Sequence, residues 1–293
     1  MKSKKLLFAG LLIMAVGYTF TGCERRERPE NITSVSIAPM KYFVDRLTGE
    51  AIDVNIMVPQ GASHGTYSPS AAQMQKLSDS ELYIRIGYLG YEQAFIRRLK
   101  QLNPSMKEVN LSDGVELIRG ELIDHGDHVH EGGIDPHIWM SPKVMLYLLP
   151  AIKNGLIEVY PHLEETIVTN YPSLLEDVER VHAEMETLTQ TLGKRRFMIF
   201  HPALTYLARD YNLEQVSIEF EGKEPSPARL SRLIREASAD KIPVIFIQEE
   251  YDVRNANLVA AETGAEVVTI NPMEYNWVRS MEELMSIFEV YLK

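Results

Sequence analysis

The chain has 293 residues, 45% of them apolar and 24% charged, which fits one large globular domain or two medium ones. Its formal charge of -11 argues against nucleic acid as a partner, because that affinity comes largely from lysine and arginine neutralising phosphates. The single cysteine excludes an internal disulfide.

The first residues read as an export signal rather than as part of a fold. Lys2, Lys4 and Lys5 form a positive n-region, and residues 6–16 are an apolar stretch too short to span a bilayer comfortably. Phe20-Thr21-Gly22-Cys23 resembles a bacterial lipobox, although Phe20 is unusual at its position. The expectation is a lipoprotein signal peptide over 1–22, a lipid anchor at Cys23 and a charged, flexible tether over 23–34. The alternative is a plain secretory peptide with a stray cysteine.

From residue 35 onward, short apolar runs alternate with helical patterns. Strands are expected over 35–38, 54–58, 82–86 and 107–111, and again over 197–200, 215–220, 244–248 and 266–270. Helical patterns cover 93–102, 228–239 and 256–263. Ser226-Pro227 is a helix start with serine at the cap, and Thr263-Gly264 is a helix stop. Such alternation predicts an α/β fold in which mainly parallel sheets are flanked by helices.

Between the two halves lies one long polar-apolar pattern, from about 162 to 195. Leu174, Leu175, Val178, Val181, Met185 and Leu188 recur at three- and four-residue steps and make one helical face. Pro172 marks either its first turn or a kink. The helix either links two lobes as a strut or packs within one domain. The boundaries read are an N-terminal lobe over 35–163, a linking helix over 164–194 and a C-terminal lobe over 195–293.

Three histidines carry the chemistry. His64 follows the strand that ends near Val58, His137 sits in Asp135-Pro136-His137-Ile138-Trp139, and His201 ends the run Phe197-Met198-Ile199-Phe200. Each lies where a strand or turn gives way to a loop or helix. A neutral imidazole is the commonest protein ligand for zinc, and three from separate strand ends could converge on one ion. A lone histidine at a strand end is more often an ordinary hydrogen-bonded group. Asp135 either orients a ligand or only makes a turn, and Trp139 reads as core packing.

Four segments together resemble the cluster A-I substrate-binding proteins of zinc and manganese ABC transporters, most of all the zinc-binding lipoproteins. They are Val58 to Pro69, Asp135 to Pro142, Phe200-His201-Pro202-Ala203, and Gly222-Lys223-Glu224-Pro225-Ser226-Pro227. The resemblance implies two α/β lobes joined by a rigid long helix, with His64, His137 and His201 holding Zn2+ in the cleft between them. Mn2+ is the less favoured cargo, since manganese prefers more oxygen ligands. It also implies a monomer that delivers the ion to an ABC permease on the extracytoplasmic side of a membrane, facing the periplasm in a Gram-negative cell.

Two residues depart from the family pattern. The histidine is shifted by one place, so that Gly65 occupies the usual ligand position, and a flexible Gly65 could let His64 reach the ion. Asn271 stands where many relatives have an aspartate ligand. Glu219 and Asn271 are therefore the candidate fourth ligands, with Glu221, Glu249 and Glu250 as further acids at strand ends. His125, His128 and His130 lie in a glycine-flanked acidic loop that reads as a low-affinity zinc antenna beside the cleft, the alternative being a solvated acidic loop with incidental histidines. The rival function is a zinc-dependent hydrolase of the cell envelope. The chain lacks a His-Glu-x-x-His helix and a Gly-x-Ser-x-Gly elbow, so the reading is a carrier and not an enzyme.

Overall fold

The computed structural model describes residues 31–120, 123–124, 129–130, 133–219 and 225–293. The signal segment with Cys23, and His125, His128 and Glu221, lie outside them. In the first half the chain runs β1 (Ile32–Ile37), α1 (Ala38–Thr48), β2 (Asp53–Val58), α2 (Ala71–Asp79), β3 (Leu82–Arg85), α3 (Gly90–Leu102) and β4 (Lys107–Asn110). These strands form one parallel sheet in the order β2-β1-β3-β4. β1 is central and buried at every residue, as a strand covered on both faces must be. A two-strand ribbon follows, β5 (Ile123–Asp124) paired with β6 (Val129–His130).

Next come α4 (Pro142–Val159) and α5 (Glu164–Thr191). Ser141 caps α4 through the Val144 N–H, and Pro142 occupies the first helical position, where its missing N–H costs nothing. The second half runs β7 (Arg196–Ile199), α6 (Thr205–Asp210), β8 (Glu214–Ser217), α7 (Pro227–Asp240), β9 (Val244–Gln248), α8 (Arg254–Thr263), β10 (Glu266–Ile270) and α9 (Trp277–Leu292). Its sheet is also parallel, in the order β10-β9-β7-β8. Ser226 caps α7 and Gly264 ends α8 at φ +75°, as their sequences predict.

The two sheets define two lobes, and α5 spans 28 residues, about 42 Å at 1.5 Å per residue. It buries Ile167, Leu174, Val178, Val181 and Met185 as one face. Pro172 lies well inside the helix and not in its first turn. α5 packs on α1 and α4 on one side and on α9 on the other. One continuous apolar core therefore runs from Phe43 and Trp139 through Val178 to Phe197, Phe246 and Phe288. The two tryptophans join the lobes reciprocally. Trp139 Nε1 donates to the Pro272 carbonyl at 2.8 Å, and Trp277 Nε1 donates to the Trp139 carbonyl at 2.8 Å. No described helix is long and apolar enough to cross a membrane.

Candidate metal centre

Both sheets present their carboxyl ends to the same space, where ligands of open parallel sheets usually bind. His201 comes two residues after β7. The ladder there continues past the strands, with Glu219 N–H donating to the Phe200 carbonyl at 2.9 Å, which sets Glu219 beside His201. Gln248, at the end of β9, clamps the His201 backbone from both sides. Its Nε2 donates to the His201 carbonyl at 2.8 Å and its Oε1 accepts the His201 N–H at 3.4 Å. His137 heads a single 3-10 turn over Ile138–Met140, before α4. His64 lies in the loop after β2, within a turn in which the Thr66 and Tyr67 N–H groups donate to the Ser63 carbonyl.

The three imidazoles meet. His64 Nε2 is 2.8 Å from His137 Nε2 and 3.2 Å from His201 Nε2. Each residue offers one ring nitrogen, and the three lie within 4.8 Å of one another. Nitrogens on a tetrahedral zinc at about 2.05 Å lie about 3.3 Å apart, close to the separations of His64 Nε2 from its two neighbours. Trp139 is core, as expected, but its ring also backs the site, 5.2 Å from His137 and 6.1 Å from His64 between centroids.

The outer nitrogens explain why the inner ones face one another. Asp135 Oδ1 accepts the His137 backbone N–H and faces His137 Nδ1, both at 2.8 Å. It makes a turn and orients a ring with the same oxygen. Glu219 Oε2 faces His201 Nδ1 at 2.9 Å. A carboxylate only accepts, so each outer nitrogen carries the proton and each Nε2 presents a lone pair. His64 differs, because its buried Nδ1 has no hydrogen-bond partner. Its tautomer is therefore set by the neighbouring imidazoles alone. In the metal-free protein its Nε2–H donates to a neighbouring imidazole, and on metal binding that proton must leave Nε2.

Burial, reinforced by the neighbouring imidazoles of His137 and His201, holds His64 well below the usual histidine range. Burial also lowers His137, although Asp135 pulls the other way. Burial pushes the Asp135 carboxyl up, but its interactions with His137 outweigh that and keep it below the usual value. Both effects favour neutral imidazoles and an ionised carboxylate, the states that metal binding needs.

The remaining expected residues fall in various places. Gly65 does not supply the loop's unusual backbone; Gly61 does, at φ +76°. Asn271 Oδ1 accepts the Met273 N–H at 3.0 Å, and Asn271 lines a cavity with Gln60, Glu249 and Glu274. Glu250 is half-buried, and burial raises its carboxyl despite an attraction to His201. His130 lies in β6, opposite Ile123. Two residues near the site had no sequence signal. Tyr251 stacks on His201 at 5.2 Å, and Tyr206 holds the His137 segment through a 2.8 Å hydrogen bond to the Asp135 carbonyl.

The family model described as the zinc-uptake complex component A, periplasmic, matches residues 34–289. The chain belongs to that family. A crystal structure of ZnuA superposes with a TM-score of 0.81 and 31% identity, covering 90% of this chain and 99% of the other. The zinc-binding lipoprotein AdcA of Streptococcus pneumoniae is 27% identical over 312 residues. That alignment covers all of this chain, which spans 60% of the relative's length. The high-affinity zinc uptake system protein ZnuA of Bacillus subtilis is 26% identical over 281 residues, covering 90% of this chain and 85% of that protein. The family is one of uptake components and not of hydrolases.

Proposed function

We propose that this chain captures Zn2+, in preference to Mn2+, between its lobes and hands it to an ABC permease. His64, His137 and His201 are the protein ligands. The observation that carries this reading is the meeting of three Nε2 atoms from distant segments, two of them turned inward by carboxylates on their outer nitrogens. Three nitrogens and few oxygens suit zinc better than manganese. A site with three protein ligands leaves a fourth position for water or a further side chain, which suits reversible cargo.

In this reading the lobes comprise 32–163 and 195–293, with 164–194 linking them; the first lobe starts three residues before the expected 35 because β1 begins at Ile32. Cys23 carries the lipid that holds a monomer on the extracytoplasmic face of a membrane, and the residues between it and β1 let it reach the permease; the expected tether end at 34 moves back, because 32–34 are buried in β1. His125, His128 and His130 sample zinc near the cleft. Glu219 orients His201, and Glu219 or Asn271 is the proposed fourth ligand, although Asn271 Oδ1 already accepts the Met273 N–H. Elemental analysis of protein purified without added metal, followed by zinc–manganese competition, tests the cargo. His201→Ala should weaken zinc binding by at least a hundredfold, about 2.7 kcal/mol. Unchanged calorimetric titration of that variant would overturn the ligand set.

A further inference from the structure

One tyrosine bridges a candidate ligand of the C-terminal lobe and the turn that carries a candidate ligand of the other lobe. Tyr251 stands three residues past β9, in a turn where its N–H donates to the Gln248 carbonyl at 3.1 Å. Its ring lies nearly parallel to His201, with centroids 5.2 Å apart and planes 18° from one another. Its phenolic oxygen reaches across the cleft to Ser63 Oγ at 3.5 Å. Ser63 is the residue before His64, and its carbonyl anchors the turn that carries His64. Phe200 supports the same ring at 5.3 Å. Beside this contact, Gln60 Nε2 donates to Glu274 Oε2 at 2.8 Å, a further tie between the His64 loop and the opposite lobe.

We propose that Tyr251 is a positioning residue that clasps the His201 ring to the His64 turn and thereby slows release of the ion. The proposal rests on the zinc-carrier reading and adds to it the element that sets residence time. The ring limits rotation of His201 about its side-chain bonds, a restraint that Glu219 alone supplies only at Nδ1. The hydroxyl draws Ser63 toward the C-terminal lobe, which keeps His64 within reach of the other two nitrogens. Loss of any one ligand from a three-ligand site weakens the hold on the ion, so restraining His201 and the His64 turn acts on the off-rate. Either hydroxyl can be the donor in this contact. Ser63 and Tyr251 are both half-buried, and their contact lies at the long end of hydrogen bonding. The hydroxyl's effect is accordingly modest and the ring's larger.

The test uses the full chain. Zinc release into excess chelator is followed by stopped flow for Tyr251→Phe, Ser63→Ala, their combination and Tyr251→Leu. Tyr251→Phe and Ser63→Ala should each release zinc about threefold faster, and the double variant no faster than either alone, because both remove one contact. Tyr251→Leu should release it about tenfold faster. In metal-free, isotope-labelled protein, Tyr251→Leu should also shift the His201 ring signals, since the stacked ring's current is gone. Wild-type release rates in Tyr251→Leu, or multiplying effects in the double variant, would overturn the clasp. A wild-type chain that takes up no zinc would overturn the carrier reading and the retention role with it, whereas the His201 ring shift reports the contact independently of any metal.

Discussion

Glu219→Gln separates two roles that one carboxylate can play at this site. Glu219 is buried, 4% exposed, with Oε2 2.9 Å from His201 Nδ1. If it orients His201, the substitution keeps the shape and removes the charge. A hydrogen bond to a charged group contributes about 1.5–3 kcal/mol against about 0.5–1.5 for a neutral one, so the variant loses about 1–1.5 kcal/mol of support for the metal-binding tautomer. An amide that turns its NH2 toward Nδ1 costs more, because it forces the proton onto Nε2, where the ion must bind. The expected loss in zinc affinity is about ten- to a hundredfold, the range typical of partners to metal-bound histidines. Competition against a fluorescent chelator at fixed pH measures it. An affinity within twofold of wild type would refute the orienting role. A loss beyond a thousandfold would make Glu219 a ligand in its own right.

The metal-free protein should be stable above about pH 6.5 and weaken below it. The depressed His64 and His137 stay neutral in the fold while the unfolded chain takes up protons, so stability falls by about 1.4 kcal/mol per pH unit for each histidine between 6.5 and its folded value. Urea unfolding with chelator at pH 7.5, 6.5 and 5.5 tests this, and a flat profile contradicts it. Gly90→Ala should weaken zinc binding and cost about 1–3 kcal/mol of stability, because its Cβ would lie 2.9 Å from the Gly65 carbonyl and push the His64 turn. Gly133→Ala, whose Cβ meets nothing within 4 Å, is the control. Trp277→Phe should lower stability by about 1–3 kcal/mol by leaving the Trp139 carbonyl unpaired, while unfolding keeps a single transition; two separated transitions would show that the lobes do not share a core.

Much of the architecture was legible because parallel strands buried on both faces are written as short apolar runs. β9 and β10 fall on their expected residues, while β1 begins at Ile32, three residues early, and gives way to α1 without a loop. Polar Thr33, Ser34 and Ser36 hide in β1 among buried partners; Ser34 Oγ, for example, meets Ser80 Oγ at 2.7 Å. A pattern of hydrophobicity cannot register such residues as interior. The histidines stood out through their place at strand ends. The partners of their outer nitrogens did not, except where the partner is local, as Asp135 is to His137. The pairing of Glu219 with His201 depends on how β8 registers against β7, and the stacking of Tyr251 on His201 depends on β9 lying beside β7. Gly65 misled because a glycine suggests freedom at its own position, whereas the loop turns at Gly61.

The shared core limits how the site can open. A hinge that swung the lobes apart would strip α5 from α1 or α9 and break the reciprocal tryptophan bonds, exposing side chains that are now fully buried. At about 25 cal/mol per Å2, uncovering even 200 Å2 of that apolar surface costs about 5 kcal/mol, comparable to the entire stability of many domains. Moving the His64 loop requires far less. Besides the His64–His201 contact itself, polar contacts from Gln60 and Ser63 tie the loop across the cleft, and among the described residues no carboxylate fixes His64 as one fixes each of the other two rings. The ligand with the fewest restraints is thus the one on the most easily moved segment. The ion should therefore enter and leave on the His64 side, with His137 held by Asp135 and Trp139 and His201 held by Glu219 and Tyr251 as the firmer floor.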